Sequence, residues 1–593
     1  MQSATLPGTR IFFALLLCIV AYGYVFPYFP RLNNPNENVR VYMTAAMVEE
    51  GTYEISGPRQ RWGWTNDAAA KDGKYYSVKA PGTSFLGYPG YWFLHRWRFA
   101  AGREVTLTEA VWVCRVTASI LPTVLFMLLF YGWISKQTGS PIVRDSAFLS
   151  IAMGSMLYAY GLLFVSHTAS AACAMGGFML TQLARSDGGF TKKGAWFTGL
   201  LVASTTFFEY PGFVASVLLT IYAITAFRTP AHWVLFGVGA LIPTLAVMHF
   251  HYSAFGNPLT PGHVYMENPW FRDAHEQGFY GATQFHPDAI VTMFVDLGSG
   301  LLPMTPILIF AVLGFPRLLL DRESRVDAVF ALLVTVGTVV LIAYMNNWRG
   351  GWTVGPRYLA LTVPFLLWGA VVGLDWLHEH FPTITEIIAL ACAAVAMIAS
   401  GIPSLYYPHV PPEISRPLPE LFLPLITYDF APTNLGEYGD YFGTLSMAPM
   451  ALLFVIALVW AWTAEASWKH IFFVPLAGAL LLPHFITPKD APSSKSYVAR
   501  ITRKWDPPQH DKPAILAQDL MAHGGDAAKV EKLAVMYEAL GRTKEAKLTR
   551  EGFEQFKTPT DLEQFVRDID ETLDRAQPPP KKKRGRVTKA KPR

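Results

Sequence analysis

The amino-acid sequence predicts an all-α integral membrane protein, a polytopic bundle of about 13 transmembrane helices. Only 16% of the 593 residues are charged and 52% are hydrophobic, whereas soluble domains carry about 25% charged residues. Apolar runs of about 20 residues, the length that crosses a hydrocarbon core of about 30 Å, recur as far as residue 490. Lipid is therefore the predicted environment of residues 1–490.

The first candidate span is the run IFFALLLCIVAYGYVFPYF. It is longer than the core of a secretory signal, and no small-residue cleavage site follows it, so we interpret it as an uncleaved anchor. The predicted spans lie near residues 10–29, 109–134, 144–164, 169–185, 194–208, 211–227, 232–251, 297–320, 327–345, 358–376, 384–405, 447–464 and 470–487.

Basic residues of the short loops all fall on one side of these spans if the N-terminus is cytoplasmic, the side that Lys and Arg prefer. The first external loop, residues 30–108, then lies outside. The polar connections near residues 166, 209, 252–296, 346–357 and 406–446 lie outside with it. All four cysteines fall within predicted spans, so the sequence predicts no disulfide framework.

The first external loop contains two predicted amphipathic helices at the membrane surface. One begins near Asn36 and carries Glu37 in its first turn, where the helix dipole favours a carboxylate. Glu37 could instead only cap this helix and pair with Arg40. Lys79 precedes a Pro-Gly turn that opens the second helix, where a lysine either anchors the chain in lipid or holds a phosphate.

A series of motifs follows the anchor: PNENVR from Pro35, YYSVKAPG from Tyr75, FFEYPG from Phe207, FGNPLTPGHVYMENPW from Phe255 and NNWRGGWTVGPRYL from Asn346. Their order, and their shared external side, resemble bacterial GT-C superfamily membrane glycosyltransferases of the protein mannosyltransferase and lipid A aminoarabinose transferase type (family 39). The resemblance covers about the first 370 residues.

The resemblance implies a GT-C-like bundle in the bacterial inner (cytoplasmic) membrane, with an active site that faces the periplasm. It implies an inverting glycosyltransferase that moves a sugar from a polyprenyl-phosphate-linked donor to an extracytoplasmic acceptor, the hydroxyl of a lipid, glycan or protein. The family's paired acids fall on Asn36 and Glu37, of which only the second is acidic. Glu37 is therefore the catalytic base that the resemblance implies.

Phosphate binding departs from the family pattern in one region. Similar sequences often carry a basic residue where this chain has Asp296 and Ser299. Binding of the donor phosphate is therefore expected from Lys79 and from Arg349 or Arg357.

Six further polar or aromatic residues on the external side are candidates for lining the substrate cavity. Some have an equally simple structural interpretation: Glu209 could form a buried ion pair, His167 could pack in a turn, and Trp352 could belong to the interfacial aromatic belt. The six are Asn36, Arg40, Tyr76, His167, Glu209 and Trp352.

The sequence predicts no metal site, because His251, His263, His275 and His286 lack regular ligand spacing. Assistance by a divalent cation stays open. No nucleotide-binding loop is present, and nucleic acid is not a predicted partner. Two alternatives to the enzyme are a transporter or flippase of lipid-linked sugars, which should show inverted repeats, and a non-catalytic membrane scaffold.

Beyond residue 490 the composition becomes hydrophilic. Residues 491–575 are predicted to form a small helical soluble region whose apolar spacing resembles one tetratricopeptide helix pair. Residues 576–593 form a basic, disordered tail with no apolar residues for a core. An odd number of spans would place both outside, in contact with the membrane surface.

Overall fold

The computed structural model describes residues 6–29, 34–63, 65, 67–268, 272–273, 275, 277–278, 281–488, 494, 497–498, 501–502, 527–539, 543, 546–547 and 549–551. These residues are mostly helical and form a multi-pass membrane protein. They fall into two compact units, one within residues 1–56 and 65–504 and one within residues 57–64 and 505–593. The site described below belongs to the first unit.

The N-terminal half of the first unit is a series of helices with short connections. Its helices are Gly8–Gly23, Pro35–Glu49, Ser56–Trp62 (shared with the second unit), Gly82–Ala100, Leu107–Arg115, Leu121–Ile134, Pro141–Ala152, Met156–Leu162, His167–Ser186, Lys192–Phe208, Phe213–Ile224 and Pro230–Phe255.

The C-terminal half contains more interruptions. Its helices are Pro287–Val295, Leu301–Met304, Ala311–Leu320, Arg325–Ala343, Val363–His380, Pro382–Ala396, Ile402–Tyr406, Leu423–Thr427, Ala448–Trp462 and Phe473–Phe485. Short 3-10 segments include Arg357–Thr362, Thr463–Glu465 and Trp468–Phe472.

Two small antiparallel sheets accompany the helices in the described residues. Val25–Phe26 pairs with Thr433–Asn434, and Ala68–Lys71 pairs with Lys74–Ser77. The second hairpin turns at Asp72 and Gly73, whose φ angles of 52° and 76° are both positive, as a two-residue type I′ turn requires. This hairpin lies in the first external loop and ends two residues before Lys79.

Six helices in the described residues are long and apolar enough to cross a membrane, or seven if one sharply bent pair counts as a single span. Four shorter apolar helices accompany them. The prediction of thirteen spans is therefore not confirmed. Several predicted spans are divided into short helices, as in Leu301–Met304 and Ala311–Leu320, where Pro303, Pro306 and nearby glycines interrupt the helix.

The predicted span at 144–164 is not one helix. Pro141–Ala152 ends before a break, and Met156–Leu162 then meets His167–Ser186 at an angle of 115°. The non-helical residues between this pair expose backbone donors inside the bundle, and such backbone is stable at this depth only where protein groups satisfy it. The backbone amide of Phe164, for example, donates a hydrogen bond to the carboxylate of Glu37.

The first-loop helix Pro35–Glu49 also differs from its prediction as an amphipathic helix on the membrane surface. Every residue from Glu37 to Ala46 is buried. The helix Gly82–Ala100 covers it from one side and keeps an exposed apolar face that includes Trp92, Phe93 and Trp97. The sequence predicts an exposed apolar face on both first-loop helices. The helix Gly82–Ala100 has such a face, whereas Pro35–Glu49 does not.

Helices Lys192–Phe208 and Pro230–Phe255 approach each other through glycines. A Cβ added at Gly199 would collide with the carbonyl of Phe236, and one added at Gly239 would collide with the carbonyl of Trp196. Small residues at helix crossings are typical of membrane bundles, because dispersion contacts rather than the hydrophobic effect hold the helices together there.

In the second unit, the helix Ala527–Ala539 is held by Arg550, whose Nη2 lies 2.7 Å from Oε1 of Glu531 and whose Nη1 lies 2.5 Å from Oε1 of Glu538. Most of the predicted region 491–575 and all of the predicted tail 576–593 lie outside the described residues. The domain boundaries drawn from the sequence, at 490 and 575, stay predictions.

We expect Gly239→Ala to lower the thermal unfolding midpoint of the detergent-purified protein, because the added methyl group forces the two helices apart. Overpacking of this kind costs about 1–3 kcal/mol. Gly237→Ala is the matched control, since a Cβ there meets nothing within 4 Å. Equal midpoints for the two variants would contradict the crossing.

Candidate functional site

A fully buried ion pair lies at the base of the site. Glu37 accepts from Arg115 Nε through Oε1 at 2.6 Å and from Arg115 Nη2 through Oε2 at 2.7 Å. The amide of Phe164 donates to Oε1 at 2.8 Å, and the side-chain amide of Asn34 donates to Oε2 at 3.2 Å. Both partners have side chains that are 1% exposed. Four donors therefore occupy the carboxylate.

This geometry disagrees with the predicted role of Glu37 as the proton-accepting base. Burial raises the pKa of Glu37, but the charge and hydrogen bonds of Arg115, with the Phe164 amide, lower it by more, so the pKa lies below its usual value. A carboxylate with a lowered pKa and no edge open to a substrate is a weak base. The pairing with Arg40 that the sequence allows does not form, since Glu37 pairs with Arg115.

Arg40 lies on the same helix and points to the break after Met156–Leu162. Its Nη1 donates to the Asn36 carbonyl at 2.6 Å and to the Asn36 side chain, and its Nη2 donates to Ser166 Oγ at 3.0 Å. Its Nε has no hydrogen-bond partner although it is buried. Burial lowers the pKa of Arg40 to about 10, Glu209 and Asp67 oppose this shift, and Arg357 adds to it.

Lys79 follows the β-hairpin of the first loop. Its Nζ lies 2.9 Å from Oδ2 of Asp67, and 18% of its side chain is exposed. Its backbone amide donates to Ser77 Oγ at 3.1 Å, which fixes the direction in which the side chain leaves the turn. Tyr76, predicted to line the cavity, packs edge-on against Phe255 with ring centroids 5.7 Å apart.

Arg357 begins the 3-10 segment that leads into the helix Val363–His380. Its guanidinium stacks over the ring of Tyr358 at 5.0 Å, and its Nε has no partner although it is buried. Gly350, with φ of +77°, allows this placement, because a Cβ there would collide with the Arg357 side chain. In the described residues no carboxylate forms an ion pair with Arg357.

Glu209 follows the helix Lys192–Phe208, and its Oε1 lies 2.7 Å from Nδ1 of His167. The contact is close but lacks the alignment of a hydrogen bond, and both ring nitrogens of His167 are otherwise unpaired. The His167 ring packs against Tyr160 at 4.8 Å and Tyr358 at 6.0 Å. Glu209 is more accessible than Glu37, with 15% of its side chain exposed.

Three of the histidines that lacked regular spacing in the sequence meet near Tyr210. His251 Nε2 lies 2.7 Å from the Tyr210 hydroxyl. His263 stacks on His275 at 4.8 Å and meets Tyr210 edge-on. Burial, followed by the charges of His275, Lys79 and His251, lowers the pKa of His263 well below its usual value. His263 is therefore neutral at pH 7, and it lies close enough to Lys79 for the lysine's charge to act on it.

The structure brings most of the predicted site residues together and leaves two apart. The charged groups that act on Arg349 are Asp296 and Glu413, and burial is the largest cause of its lowered pKa. Trp352 packs against Tyr497 at 5.9 Å. Neither residue contacts the cluster of Arg40, Lys79 and Arg357 in the described residues.

Three residues of the site were missed in the sequence. Arg115 lies inside an apolar run, and a charge in a predicted span is by itself a reason to expect a partner. Asp67 precedes a hairpin whose turn is recognisable from Asp72-Gly73, but nothing local predicts its pairing with Lys79. His409 is buried near Glu37 and Arg115, and burial lowers its pKa to about 4.

The cluster formed by Arg40, Asp67, Lys79, Glu209 and Arg357 carries three cations and two carboxylates, an excess of one positive charge. The residues present do not fit a divalent metal ion, since Asp67 already pairs with Lys79, Glu209 contacts His167, and three cations surround them. In the described part of the chain, one group of three metal-ligating side chains is close enough to share an ion. It lies outside this cluster and consists of His378, Glu386 and Glu465. The cluster is suited to an anion.

No protein-family model matches the chain, and no curated protein matches it. Among solved structures it is similar to the oligosaccharyltransferase AglB from Archaeoglobus fulgidus in complex with an inhibitory peptide and a dolichol-phosphate, with 12% identity and a TM-score of 0.40. That match covers 73% of this chain and 58% of AglB. The chain thus spans little more than half of the length of AglB.

The chain is also similar to ArnT from Cupriavidus metallidurans, in its apo state and bound to undecaprenyl phosphate. The second match has 13% identity, a TM-score of 0.44, and covers 87% of this chain and 91% of that one. Both TM-scores lie below 0.5, so these matches assign neither a family nor an activity to this chain.

We expect Glu37→Gln to destabilise the protein, because it leaves Arg115 buried without a counter-charge. Breaking a buried pair from one side costs about 3–5 kcal/mol, whereas replacing both partners by apolar residues is often neutral. The double variant Glu37→Leu with Arg115→Met should therefore unfold at a higher temperature than Glu37→Gln in detergent. The reverse order of midpoints would show that the pair does not stabilise the fold.

Proposed function

We propose that this protein is an inverting glycosyltransferase that transfers a sugar from a polyprenyl-phosphate-linked donor to a hydroxyl acceptor outside the cytoplasm. The observation that carries this proposal is the convergence of Arg40, Lys79 and Arg357 around Asp67, which pairs with Lys79 and whose charge acts on both arginines. Both arginines have a buried Nε without a partner. Their positions agree with the family resemblance of the motifs that contain them. The acceptor hydroxyl belongs to a lipid, a glycan or a protein of the cell envelope.

The cluster is suited to a phosphate whose charge grows during the reaction. The donor phosphodiester carries one negative charge, and the polyprenyl phosphate that leaves carries up to two. Preorganised cations stabilise such a developing charge more than they stabilise the ground state, which lowers the barrier. Lys79 would exchange its contact with Asp67 for the phosphate, while Arg40 and Arg357 offer the N–H groups that lack a protein partner.

Glu209 is the proton acceptor in this proposal. Its Oε1 contacts His167, and no donor among the described residues bonds its Oε2, so one edge is open for an acceptor hydroxyl. As the acceptor oxygen attacks the anomeric carbon, Glu209 takes its proton. The bond between that carbon and the phosphate oxygen breaks, and the electron pair leaves with the phosphate. Attack opposite the leaving group inverts the anomeric configuration.

Glu37 has a positioning role in this scheme. By fixing Arg115 and the Phe164 amide, it holds the break from which Ser166 bonds Arg40. No metal ion is needed, because side chains supply the positive charge. A flippase would also need cations for the lipid phosphate, but it would have no use for an open carboxylate beside them.

We expect Lys79→Met to weaken binding of undecaprenyl phosphate to the purified protein about 10- to 100-fold, as loss of a charge-assisted hydrogen bond costs about 1.5–3 kcal/mol. Native mass spectrometry of the protein with graded lipid would measure this. Lys74→Met is the matched control. Lys74 lies in the hairpin that precedes Lys79, but it pairs with Glu54 at 3.1 Å and is half exposed. Equal losses in both variants would remove Lys79 from the phosphate site.

We expect Glu209→Gln to lower sugar transfer about 10²- to 10⁴-fold, the usual contribution of a general base, while lipid binding and thermal midpoint stay near wild type. The assay incubates the purified protein with radiolabelled polyprenyl-phosphate sugars and a membrane extract, and follows the label into the product. Asp67→Asn serves as the comparison carboxylate. Normal turnover by Glu209→Gln together with loss in Asp67→Asn would transfer the role of base to Asp67. A wild-type protein that moves the labelled lipid across vesicles without forming a product would instead favour the flippase.

A further inference from the structure

A second polar cluster lies at the opposite ends of the helices. His378 and Arg357 belong to the same continuous helical segment, 21 residues apart, so at a rise of about 1.5 Å per residue the two clusters are separated by about 30 Å. Four side chains from successive helix ends meet there: His378 from Val363–His380, Glu386 from Pro382–Ala396, Glu465 from Thr463–Glu465 and His470 from Trp468–Phe472.

Glu386 is at the centre of this cluster. Its Oε1 lies 2.9 Å from Nε2 of His378, and its Oε2 lies 2.7 Å from Nε2 of His470. The carboxyl group of Glu465 is in hydrogen-bonding contact with that of Glu386. Ligand atoms of His378, Glu386 and Glu465 all lie within 4.8 Å of one another.

The cluster is incompletely satisfied by protein groups. The side chain of Glu386 is 6% exposed and that of His470 is 3% exposed, and Nδ1 of His470 is buried without a hydrogen-bond partner. Two carboxyl groups in contact repel each other unless a proton or a cation lies between them. The charge of Arg144 also acts on Glu465, but the Nε of Arg144 already bonds Asp145 at 2.7 Å.

The donor set identifies the cation that fits. One imidazole and two carboxylates, those of His378, Glu386 and Glu465, lie close enough to share an ion, and Zn²⁺ accepts such nitrogen and oxygen ligands in tetrahedral geometry. Ca²⁺ and Mg²⁺ prefer six or more oxygens, including water, and are less suited to imidazole. Water would fill the fourth position, since Glu465 is exposed, and His470 holds Glu386 in place from 2.7 Å.

We propose that His378, Glu386 and Glu465 bind a divalent transition-metal ion, with Zn²⁺ as the best-fitting ion, which ties three helix ends together at the end of the bundle away from the phosphate cluster. The same helices pack above the site through Ala391, Ala394, Val395 and Ala477. The bound metal ion would stabilise the end of this alanine-rich helix interface. The proposal is independent of the transfer reaction, because the cluster lies about 30 Å from Arg357.

Metal binding to the full-length protein in detergent tests the proposal. After chelation and removal of the chelator, the wild type is titrated with Zn²⁺ and its metal content is measured by mass spectrometry. Co²⁺ is then substituted, and the visible absorption of tetrahedral Co²⁺ is recorded. We expect one equivalent of either ion in the wild type, with a rise in the thermal midpoint on adding Zn²⁺.

The variants His378→Asn and Glu465→Gln should lose the bound equivalent and the Co²⁺ spectrum. His380→Asn is the matched control, because His380 is exposed on the same helix end and its Nδ1 contacts the carbonyl of Trp376 instead. Glu465→Gln gives a further readout: without metal it should unfold at a higher temperature than the metal-free wild type, since it removes the repulsion between the two carboxyl groups.

Three results would overturn the proposal. The first is less than one equivalent of Zn²⁺ in the wild type at micromolar free ion. The second is undiminished binding by both His378→Asn and Glu465→Gln. The third is a Co²⁺ spectrum of octahedral type, which would show an adventitious surface ion.

Discussion

The ion pair between Glu37 and Arg115 joins three parts of the chain that are far apart in sequence. Glu37 belongs to the first-loop helix, Arg115 to the span that follows this loop, and Phe164 to the break between two half-helices. A buried charge without its partner would cost several kcal/mol. Separating any of these three segments from the others would therefore lower the stability of the fold. The bundle around the site is fixed by this constraint.

The phosphate cluster depends on that constraint for its geometry. Arg40 lies one turn beyond Glu37 and bonds Ser166, so the direction of its guanidinium follows from the position of the break. Lys79 arrives from the hairpin and Arg357 from the segment after Gly350, where the absence of a Cβ makes room for its side chain. Two segments of the first external loop and the segment after Gly350 thus supply the three cations, and such connecting segments commonly carry the functional groups of a rigid scaffold.

The two ends of the bundle have opposite electrostatic character. The end with Arg40, Lys79 and Arg357 has excess positive charge and unpaired N–H groups, as an anion site requires. The other end brings Glu386 and Glu465 into contact, as a cation site requires. Apolar helices about 30 Å long separate the two clusters, so each can be occupied without acting directly on the charges of the other.

The sequence by itself determined the membrane environment and the helical class, because composition and apolar run length report directly on the solvent. It also gave Arg40, Lys79, His167, Glu209 and Arg357 as candidate site residues, since polar groups close to membrane spans are costly and are often functional. These are statements about single residues and their local sequence.

Only the tertiary structure decided how these residues are paired. Glu37 has the same local sequence whether it bonds Arg40 or Arg115. The two partners Glu37 and Arg115 are 78 positions apart, so the packing of the bundle decides whether they pair. The number of spans was equally undecided, because an apolar run does not reveal where a proline or glycine divides it. The contacts among His378, Glu386, Glu465 and His470 join four helix ends whose approach depends on close packing of alanines far from the polar groups themselves.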